Sequence, residues 1–156
     1  PLPFPEPPMI ALLQRVSEAR VDVDGETVGQ IQAGILALVA VERGDGEAQA
    51  SRMLERILGY RIFADDQGRM NRSLKDTGGG LLLVSQFTLA AGTARGMRAG
   101  FSGAAAPEDG EREFSRLVEM ARAAYSPVET GRFRTHMQVH LINDGPVTFH
   151  LRVAPA

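Results

Sequence analysis

Residues Gly78–Ala90 read Gly-Gly-Gly-Leu-Leu-Leu-Val-Ser-Gln-Phe-Thr-Leu-Ala, and this stretch decides the fold. The apolar run Leu81–Val84 follows a triple-glycine turn signal, which predicts a strand covered on both faces. The next four residues supply two hydroxyls, an amide and an aromatic ring at the carboxyl end of that strand. Side chains and backbone N–H groups at such a strand end can face a ligand without disturbing the core. The stretch therefore predicts a rigid support that carries a candidate site.

Length and composition set the class of protein. The chain has 156 residues, 44% of them hydrophobic, which predicts one domain with a real core. With 17 basic and 19 acidic residues the net charge is −2, so a polyanion must be bound by a local patch. The absence of cysteine excludes disulfides, thiolate metal sites and cysteine nucleophiles. No apolar run approaches the roughly 18 residues of a membrane span, and we expect a cytoplasmic protein without a membrane partner.

The first eight residues differ from the rest of the chain. Pro1–Pro8 holds five of the nine prolines, so it can form neither a helix nor a sheet ladder. We expect residues 1–8 to be a flexible extension and residues 9–156 to be the domain.

Hydrophobic patterns predict the strands. Arg20–Ile31 alternates apolar and polar residues around Asp24-Gly25, a preferred hairpin dipeptide. Gly34–Val41 is a continuous apolar run and so a buried strand. The other strands are predicted at Ile10–Val16, Tyr60–Ala64, Met137–Ile142 and Val147–Val153, with the last two joined by a short connection as a hairpin.

Two helices are predicted between the strands. The first spans Glu47–Leu58, with Gly59 as its C-cap. The second opens at Pro107 and ends before Ser126-Pro127. Its apolar stripe consists of Phe114, Leu117, Val118 and Ala121, and extends to Tyr125. Six to eight strands with two helices covering one side indicate an α+β domain.

The residues alone leave the chemistry open. Ser85, Gln86 and Thr88 also fit ordinary strand-end residues that hydrogen-bond within the sheet. No catalytic triad can be assembled, because the serine has no glycine-flanked elbow and no assigned histidine and carboxylate partners. An enzyme built here would rely on backbone donors and substrate positioning.

The histidines and arginines are the remaining candidates for binding a ligand. His136 and His140 stand about 13 Å apart in a strand, too far for one metal ion, and His140 with His150 lacks a third ligand. We therefore expect neither a metal nor another cofactor. Two acid-free runs carry arginines that fit either a solvated surface or a phosphate-binding rim: Arg95, Arg98, Arg132 and Arg134.

A second polar interruption, Asn143–Thr148, reads Asn-Asp-Gly-Pro-Val-Thr. Its Gly145-Pro146 bond fits a plain turn. It also fits a cis peptide, since an X–Pro bond loses only about 0.5–1 kcal/mol on going cis.

Taken together, the motifs resemble those of the D-aminoacyl-tRNA deacylase family, also called D-tyrosyl-tRNA(Tyr) deacylases. The likeness includes Ser85–Ala90, Asn143–Thr148 and the opening Met9–Val16, and extends over most of Met9–Val153 in the family's order. It implies mixed and antiparallel sheets rolled into a barrel-like sandwich with two main helices on one side.

The resemblance also implies an activity. The family's members are metal-free homodimeric esterases that cleave D-aminoacyl-tRNA, and mischarged glycyl-tRNA, at the terminal adenosine. By this resemblance Gly145 and Pro146 form a cis pair that enters the partner's pocket and excludes L-amino acids, and Arg15 braces them. The remaining implied site residues are Ser85, Gln86, Phe87 and Thr88 as the catalytic group, with Phe87 at the adenine, and Met137 as substrate-binding.

Two other functions compete with this one. A catalytically silent tRNA- or RNA-binding module could use the same fold, and a hydrolase of small D-aminoacyl esters would need no RNA. The sequence also departs from the family pattern at Gly92, Ala99-Gly100, His136 and His150, none of which lies in the two motifs.

Overall fold

The computed structural model describes residues 9–154, so the proposed Pro1–Pro8 extension lies outside the described residues. Its strands are β1 (Met9–Val23), β2 (Glu26–Ile31), β3 (Gly34–Ala40), β4 (Phe63–Ala64), β5 (Met70–Arg72), β6 (Gly80–Ser85), β7 (Val128–Thr130) and β8 (Gln138–Val153). Its helices are α1 (Glu47–Gly59), α2 (Leu74–Thr77), a 3₁₀ helix (Phe87–Ala90) and α3 (Pro107–Ala124). The α+β class is confirmed.

Most of the predicted elements form where the hydrophobic pattern placed them. Asp24 and Gly25 both have positive φ, at 50° and 80°, which matches the predicted tight turn between β1 and β2. Pro107 is in the first turn of α3, as its missing N–H allows. Helix α1 extends one residue past the prediction, because Gly59 is helical and Tyr60 is the C-cap.

The main sheet is mixed. Its strand order is β2-β1-β3-β6-β7, and β8 pairs with β1 outside this path. Strands β3, β6 and β7 are parallel to one another, while β1 runs antiparallel to β2, β3 and β8. The parallel strands therefore end at one common edge of the sheet.

Alternation along the strands separates two apolar cores. Ile35, Ala37, Leu81 and Leu83 face the side on which α1 and α3 pack. The intervening Leu36, Leu82 and Val84 face the other side, where the second half of β1 curls over them. Both long helices thus cover one face, as predicted.

Gly29 lets the curled sheet nearly close. A Cβ at this position would overlap the backbone carbonyl of Thr130, so only glycine allows β2 to approach β7 this closely. The result is a nearly closed, barrel-like sheet.

The C-terminal segment corrects one prediction. Residues 137–142 and 147–153 do not form a hairpin, because both parts pair with β1 along a single strand, β8. His140 lies opposite Arg20 and His150 opposite Leu12, so the two histidines are separated by eight residues of β1, about 26 Å. Residues 144–147 form an irregularity opposite Arg15 instead of a turn that reverses the chain.

A second prediction was too long. Only Phe63–Ala64 of the predicted strand Tyr60–Ala64 is a strand, because it pairs with the three-residue β5 and not with the main sheet. Within residues 9–154, no helix is long and apolar enough to cross a membrane.

Candidate active site

The common edge of the parallel strands carries the first motif. Ser85 ends β6, and the N–H of Gln86 donates to the carbonyl of Val39 at 2.8 Å, which fixes the chain as it leaves the sheet. The N–H of Gly131, just beyond β7, donates to the carbonyl of Leu83 at 3.2 Å. These bonds place residues 85–88 beside the segment that leads from β7 to β8.

A cavity of about 420 Å³ opens at this edge. Its floor is the end of the sheet, with Val39 and Val84, and one wall is the start of α3. The opposite wall is residues 133–137. Its other lining residues are Val41, Ser85, Gln86, Phe87, Ala105, Pro107, Gly110, Phe114 and Val139. The space is mostly apolar, with a polar mouth, as small-molecule sites usually are.

Backbone donors and an exposed ring lie at the mouth and next to it: Phe87 lines the cavity, whereas Thr88, the following residue, does not. Phe87 and Thr88 begin the 3₁₀ helix, and among residues 9–154 their N–H groups have no backbone acceptor. Gln86 donates from Nε2 to Thr88 Oγ1, so this hydroxyl is engaged within the motif. Phe87 is 63% exposed and is available to a flat ligand. The arrangement can polarise a carbonyl group and contact an aromatic ring at the same time.

Residues 133–137 supply the opposite wall. Arg134 has a φ of 60°, and its guanidinium lies 3.7 Å from a carboxylate oxygen of Glu108 at the start of α3. Thr135 and His136 are exposed at the mouth, and Met137 is half-buried. Met137, proposed from the family resemblance, therefore lies in the same cavity as Ser85, Gln86 and Phe87.

The sequence reasoning missed two aromatic residues of the cavity. Phe114 was predicted only as part of the apolar stripe of α3, and Phe133 was not singled out. Their ring centroids are 6.2 Å apart, and both line the cavity. The spacing of three or four residues along the α3 stripe identifies Phe114 as buried. No local sequence pattern predicts that Phe133 packs against it.

The second motif is bound to β1 by a set of hydrogen bonds. Asn143 Nδ2 donates to the carbonyls of Arg15 and Val147, both at 3.0 Å. Arg15 Nε donates to the carbonyl of Asp144 at 3.1 Å, and Arg15 Nη1 donates to the carbonyl of Ile62 at 2.9 Å. The Gly145-Pro146 peptide bond is cis. Gly145 and Pro146 are exposed next to these hydrogen bonds.

Within one chain the two motifs lie apart. Arg15, which faces residues 144–147, pairs with Ile35, and Ile35 pairs with Leu81 near the start of β6. Ser85 is four residues farther along β6, about 13 Å, and three strands away from β8. None of residues 143–148 lines the 420 Å³ cavity. Gly145 and Pro146 therefore do not reach Ser85 of their own chain.

Buried carboxylates lie behind the cavity wall. The Glu42 N–H donates to Asp45 Oδ2 at 2.7 Å, whereas Asp45 Oδ1 is buried without a hydrogen-bond partner in the described structure. Burial, with Glu42 and Glu113 nearby, raises the pKa of Asp45 to about 7, against the hydrogen bond from Glu42. Burial also raises the pKa of Glu42. Residues 9–154 contain no group of three acidic, histidine or cysteine side chains placed to hold an ion.

The arginines divide into two groups. Arg134 is paired with Glu108, whereas Arg95, Arg98 and Arg132 are in no ion pair within the described part of the chain. All are exposed. Of the histidines, His140 is linked to Asp22, at 3.2 Å from Nε2 to Oδ2.

Comparison with known proteins places this geometry in context. Residues 12–152 match the family model described as D-Tyr-tRNA(Tyr) deacylase. The D-aminoacyl-tRNA deacylase of Thioalkalivibrio sulfidiphilus is 67% identical over 147 residues, covering 94% of this chain and 99% of the relative. That of Alkalilimnicola ehrlichii is 64% identical over 148 residues, covering 95% and 99%.

Solved structures agree on the fold. A structure described as the c-Myc DNA Unwinding Element Binding Protein is 36% identical with a TM-score of 0.88, covering 94% of this chain and 99% of the other. A structure described as a probable eukaryotic D-amino acid tRNA deacylase is 16% identical with a TM-score of 0.80, covering 94% and 100%.

Proposed function

Because the chain belongs to the D-Tyr-tRNA(Tyr) deacylase family, we propose that it hydrolyses the ester between a D-amino acid and the terminal adenosine of tRNA. The products are free tRNA and the D-amino acid. The observation that carries the proposal is that Ser85, Gln86 and Phe87 line an apolar cavity, and that the N–H groups of Phe87 and Thr88 have no backbone acceptor within residues 9–154. The cytoplasm, where tRNA is charged, is the proposed compartment.

The chain's own groups position the ester. The N–H groups of Phe87 and Thr88 are proposed to bind the carbonyl oxygen and to stabilise the charge that develops on it. Phe87 is proposed to contact the terminal adenine, whose flat face suits its exposed ring. Ser85, Gln86 and Met137 complete the lining near the reacting atoms.

The RNA supplies the proton relay in this mechanism. A water molecule attacks the ester carbon, the bond to the ribose 3′ oxygen breaks, and that oxygen leaves with a proton. We assign the relay of this proton to the neighbouring 2′-OH, because Thr88 Oγ1 is engaged by Gln86 and no base lies within the motif.

Chiral selection is proposed to come from a second copy of the chain. Gly145 and Pro146 are exposed, held by Arg15, and remote from the cavity of their own chain. Inserted into a partner's cavity, this rigid loop would meet the α-amino group with backbone carbonyls and exclude an L side chain by contact. Glycine has no side chain to exclude, so we expect glycyl-tRNA to be cleaved as well.

The first experiment compares matched D-tyrosyl-tRNA and L-tyrosyl-tRNA with a chelator present. Rapid loss of the D-ester alone is expected. A protein that binds tRNA and cleaves neither ester would be a silent binding module, the alternative function. Cleavage of small D-aminoacyl esters with no dependence on salt or RNA would indicate the third function, since binding of tRNA should weaken as salt rises.

A mixed dimer tests the shared site. A tagged Phe87→Ala chain is co-purified with a Gly145→Ala chain, so that one of the two cavities combines an intact Phe87 with an intact partner loop. Each homodimer should be nearly inactive, and the mixed dimer should recover up to half of the native activity. A mixed dimer as inactive as its parents, or a fully active monomer, would contradict the shared site.

A further inference from the structure

Phe101 forms a second exposed aromatic surface beside the proposed adenine contact. Its ring centroid lies 5.4 Å from that of Phe87, with 45° between the ring planes. Phe87 is 63% exposed and Phe101 is 44% exposed, and Met97, four residues before Phe101 in the same loop, is fully exposed. Large apolar side chains that cluster on a surface in this way usually mark a binding site.

The loop that carries Phe101 is basic. Residues 91–106 contain Arg95 and Arg98 and no acidic residue. Neither arginine is in an ion pair within residues 9–154. Gly92 and Gly100 bond each other through both N–H groups, at 2.6 and 2.9 Å, which closes the loop just before Phe101. Phe101 and the arginines therefore belong to one small structural unit.

The ring geometry decides how a base could bind. Aromatic rings whose centroids lie roughly 4.5–7 Å apart are in direct contact, so no base can lie between them. Phe87 and Phe101 are in such contact, so they offer two adjoining ring faces tilted by 45°, which we call the aromatic shelf. Successive bases can lie along such a shelf while arginines contact the phosphates, as in sites for single-stranded nucleic acid.

We propose that Phe101, with Met97 and Arg98, binds the nucleotides that precede the terminal adenosine of the RNA. This inference rests on the proposed function, because the adenosine at Phe87 sets the direction of the strand. The loop carries two arginines and no acid, so it favours RNA, which has a negative charge at every phosphate. A second copy of this chain, with a net charge of only −2, would be attracted less. The site thus recognises a single-stranded 3′ end and not only its last base.

Binding of short probes tests the inference directly. The probes are adenosine, the RNA trinucleotide 5′-CCA-3′ and its deoxy counterpart. Phe101→Leu keeps an apolar contact with Phe87 and removes the ring face, so it should weaken trinucleotide binding about tenfold and leave adenosine binding within twofold. Arg98→Gln should reduce the slope of log affinity against log salt concentration by about 0.7 for the trinucleotide. Arg122→Gln, on the exposed C-terminal end of α3, should leave that slope unchanged. A deoxy probe bound equally well would assign the shelf to single strands of either kind.

Three outcomes would overturn the inference. If Phe101→Leu lowered the affinities for adenosine and for the trinucleotide equally, Phe101 would only support the ring of Phe87. Dissociation of a dimer by Phe101→Leu, measured by sedimentation, would mean that a second copy covers the shelf. If the affinity for neither probe changed in Phe101→Leu, Phe101 would have no role in binding.

Kinetics separate this inference from the proposed function. Phe101→Leu should raise KM for D-tyrosyl-tRNA, leave kcat unchanged, and leave cleavage of D-tyrosyl-adenosine unaffected. If the native protein cleaves neither ester, the proposed function fails, and the probe affinities still decide whether the shelf binds a single strand.

Discussion

Arg15 and Asp144 are joined through the backbone more than through their charges. Arg15 Nε donates to the Asp144 carbonyl at 3.1 Å and lies 3.5 Å from its carboxylate. The Arg15 side chain is 17% exposed, whereas that of Asp144 is 60% exposed. An exposed carboxylate contributes little to such a pair, so the carbonyl is the important acceptor.

Replacing Arg15 should therefore cost more than replacing Asp144. Lysine keeps the charge but cannot donate to the Asp144 and Ile62 carbonyls together, so Arg15→Lys should lower the free energy of unfolding by about 2 kcal/mol. Asp144→Asn keeps the carbonyl and should change it by less than about 0.5 kcal/mol. Urea denaturation measures both, and equal losses would contradict this account.

Gly145 should tolerate no side chain. Its φ is +127°, and a Cβ there would lie 2.8 Å from Val147 Cγ2 and 2.9 Å from Arg15 Nη2. Gly145→Ala should therefore displace the loop and remove most of the deacylase activity. Gly68→Ala is the matched control, because Gly68 also has positive φ but nothing within 4 Å of the added Cβ. It should lose about 1–2 kcal/mol of stability and keep full activity.

Asp45 should make the fold less stable as the pH rises toward neutrality. Its pKa is raised from 3.8 to about 7, first by burial and then by Glu42 and Glu113. A carboxyl with a raised folded-state pKa contributes its full stability below its unfolded pKa and loses it as the pH rises through about 7. Arg112 and Arg116, which contact Glu113, act against this effect.

Asp45→Asn tests that dependence. Asparagine can still accept the Glu42 N–H and carries no charge, so the variant should be more stable than the native protein at pH 8, by about 1–2 kcal/mol after allowing for partial exposure. At pH 4 the two should be similar. Thermal unfolding at a series of pH values measures the difference, and parallel curves for the two proteins would refute it.

Thr88→Ala should keep substantial activity. The Thr88 hydroxyl accepts a hydrogen bond from Gln86, and the mechanism uses the backbone N–H of Thr88, which alanine retains. A fall in kcat of less than about tenfold on D-tyrosyl-tRNA is expected. Loss of several decades in rate, with the fold intact by circular dichroism, would make the hydroxyl a nucleophile.

Local patterns predict the elements that bury their own apolar residues. The buried strands expected at Leu81–Val84 and Gly34–Val41 form as Gly80–Ser85 and Gly34–Ala40, and α1 follows its helical spacing. Strand β7 was missed because three residues carry too little pattern, and it exists by pairing with β6. The hairpin expected around Gly145-Pro146 was wrong because the turn signal is local, whereas pairing with β1 is not.

The candidate site follows the same rule. The motif at Ser85–Thr88 could be located from the sequence, since a buried strand ends there. Phe133 and the shelf at Phe101 depend on segments that come together only in the folded chain. The sequence also could not predict the distance between Ser85–Thr88 and Asn143–Thr148, because the register of β8, β1, β3 and β6 sets it.

The pairing of β1 with β8 has a consequence for synthesis of the protein. Met9 lies opposite Val153, and paired positions continue to Asp22 and Gln138. Strand β1 therefore cannot complete its pairing until β8 has been synthesised. The sheet cannot be completed on the ribosome until nearly the whole domain has emerged, and contacts this distant in sequence slow folding. A nascent chain stalled before residue 138 should therefore pair β1 only with β2 and β3 and be cut faster by protease than a chain released after residue 153, whose β8 pairs with the other edge of β1.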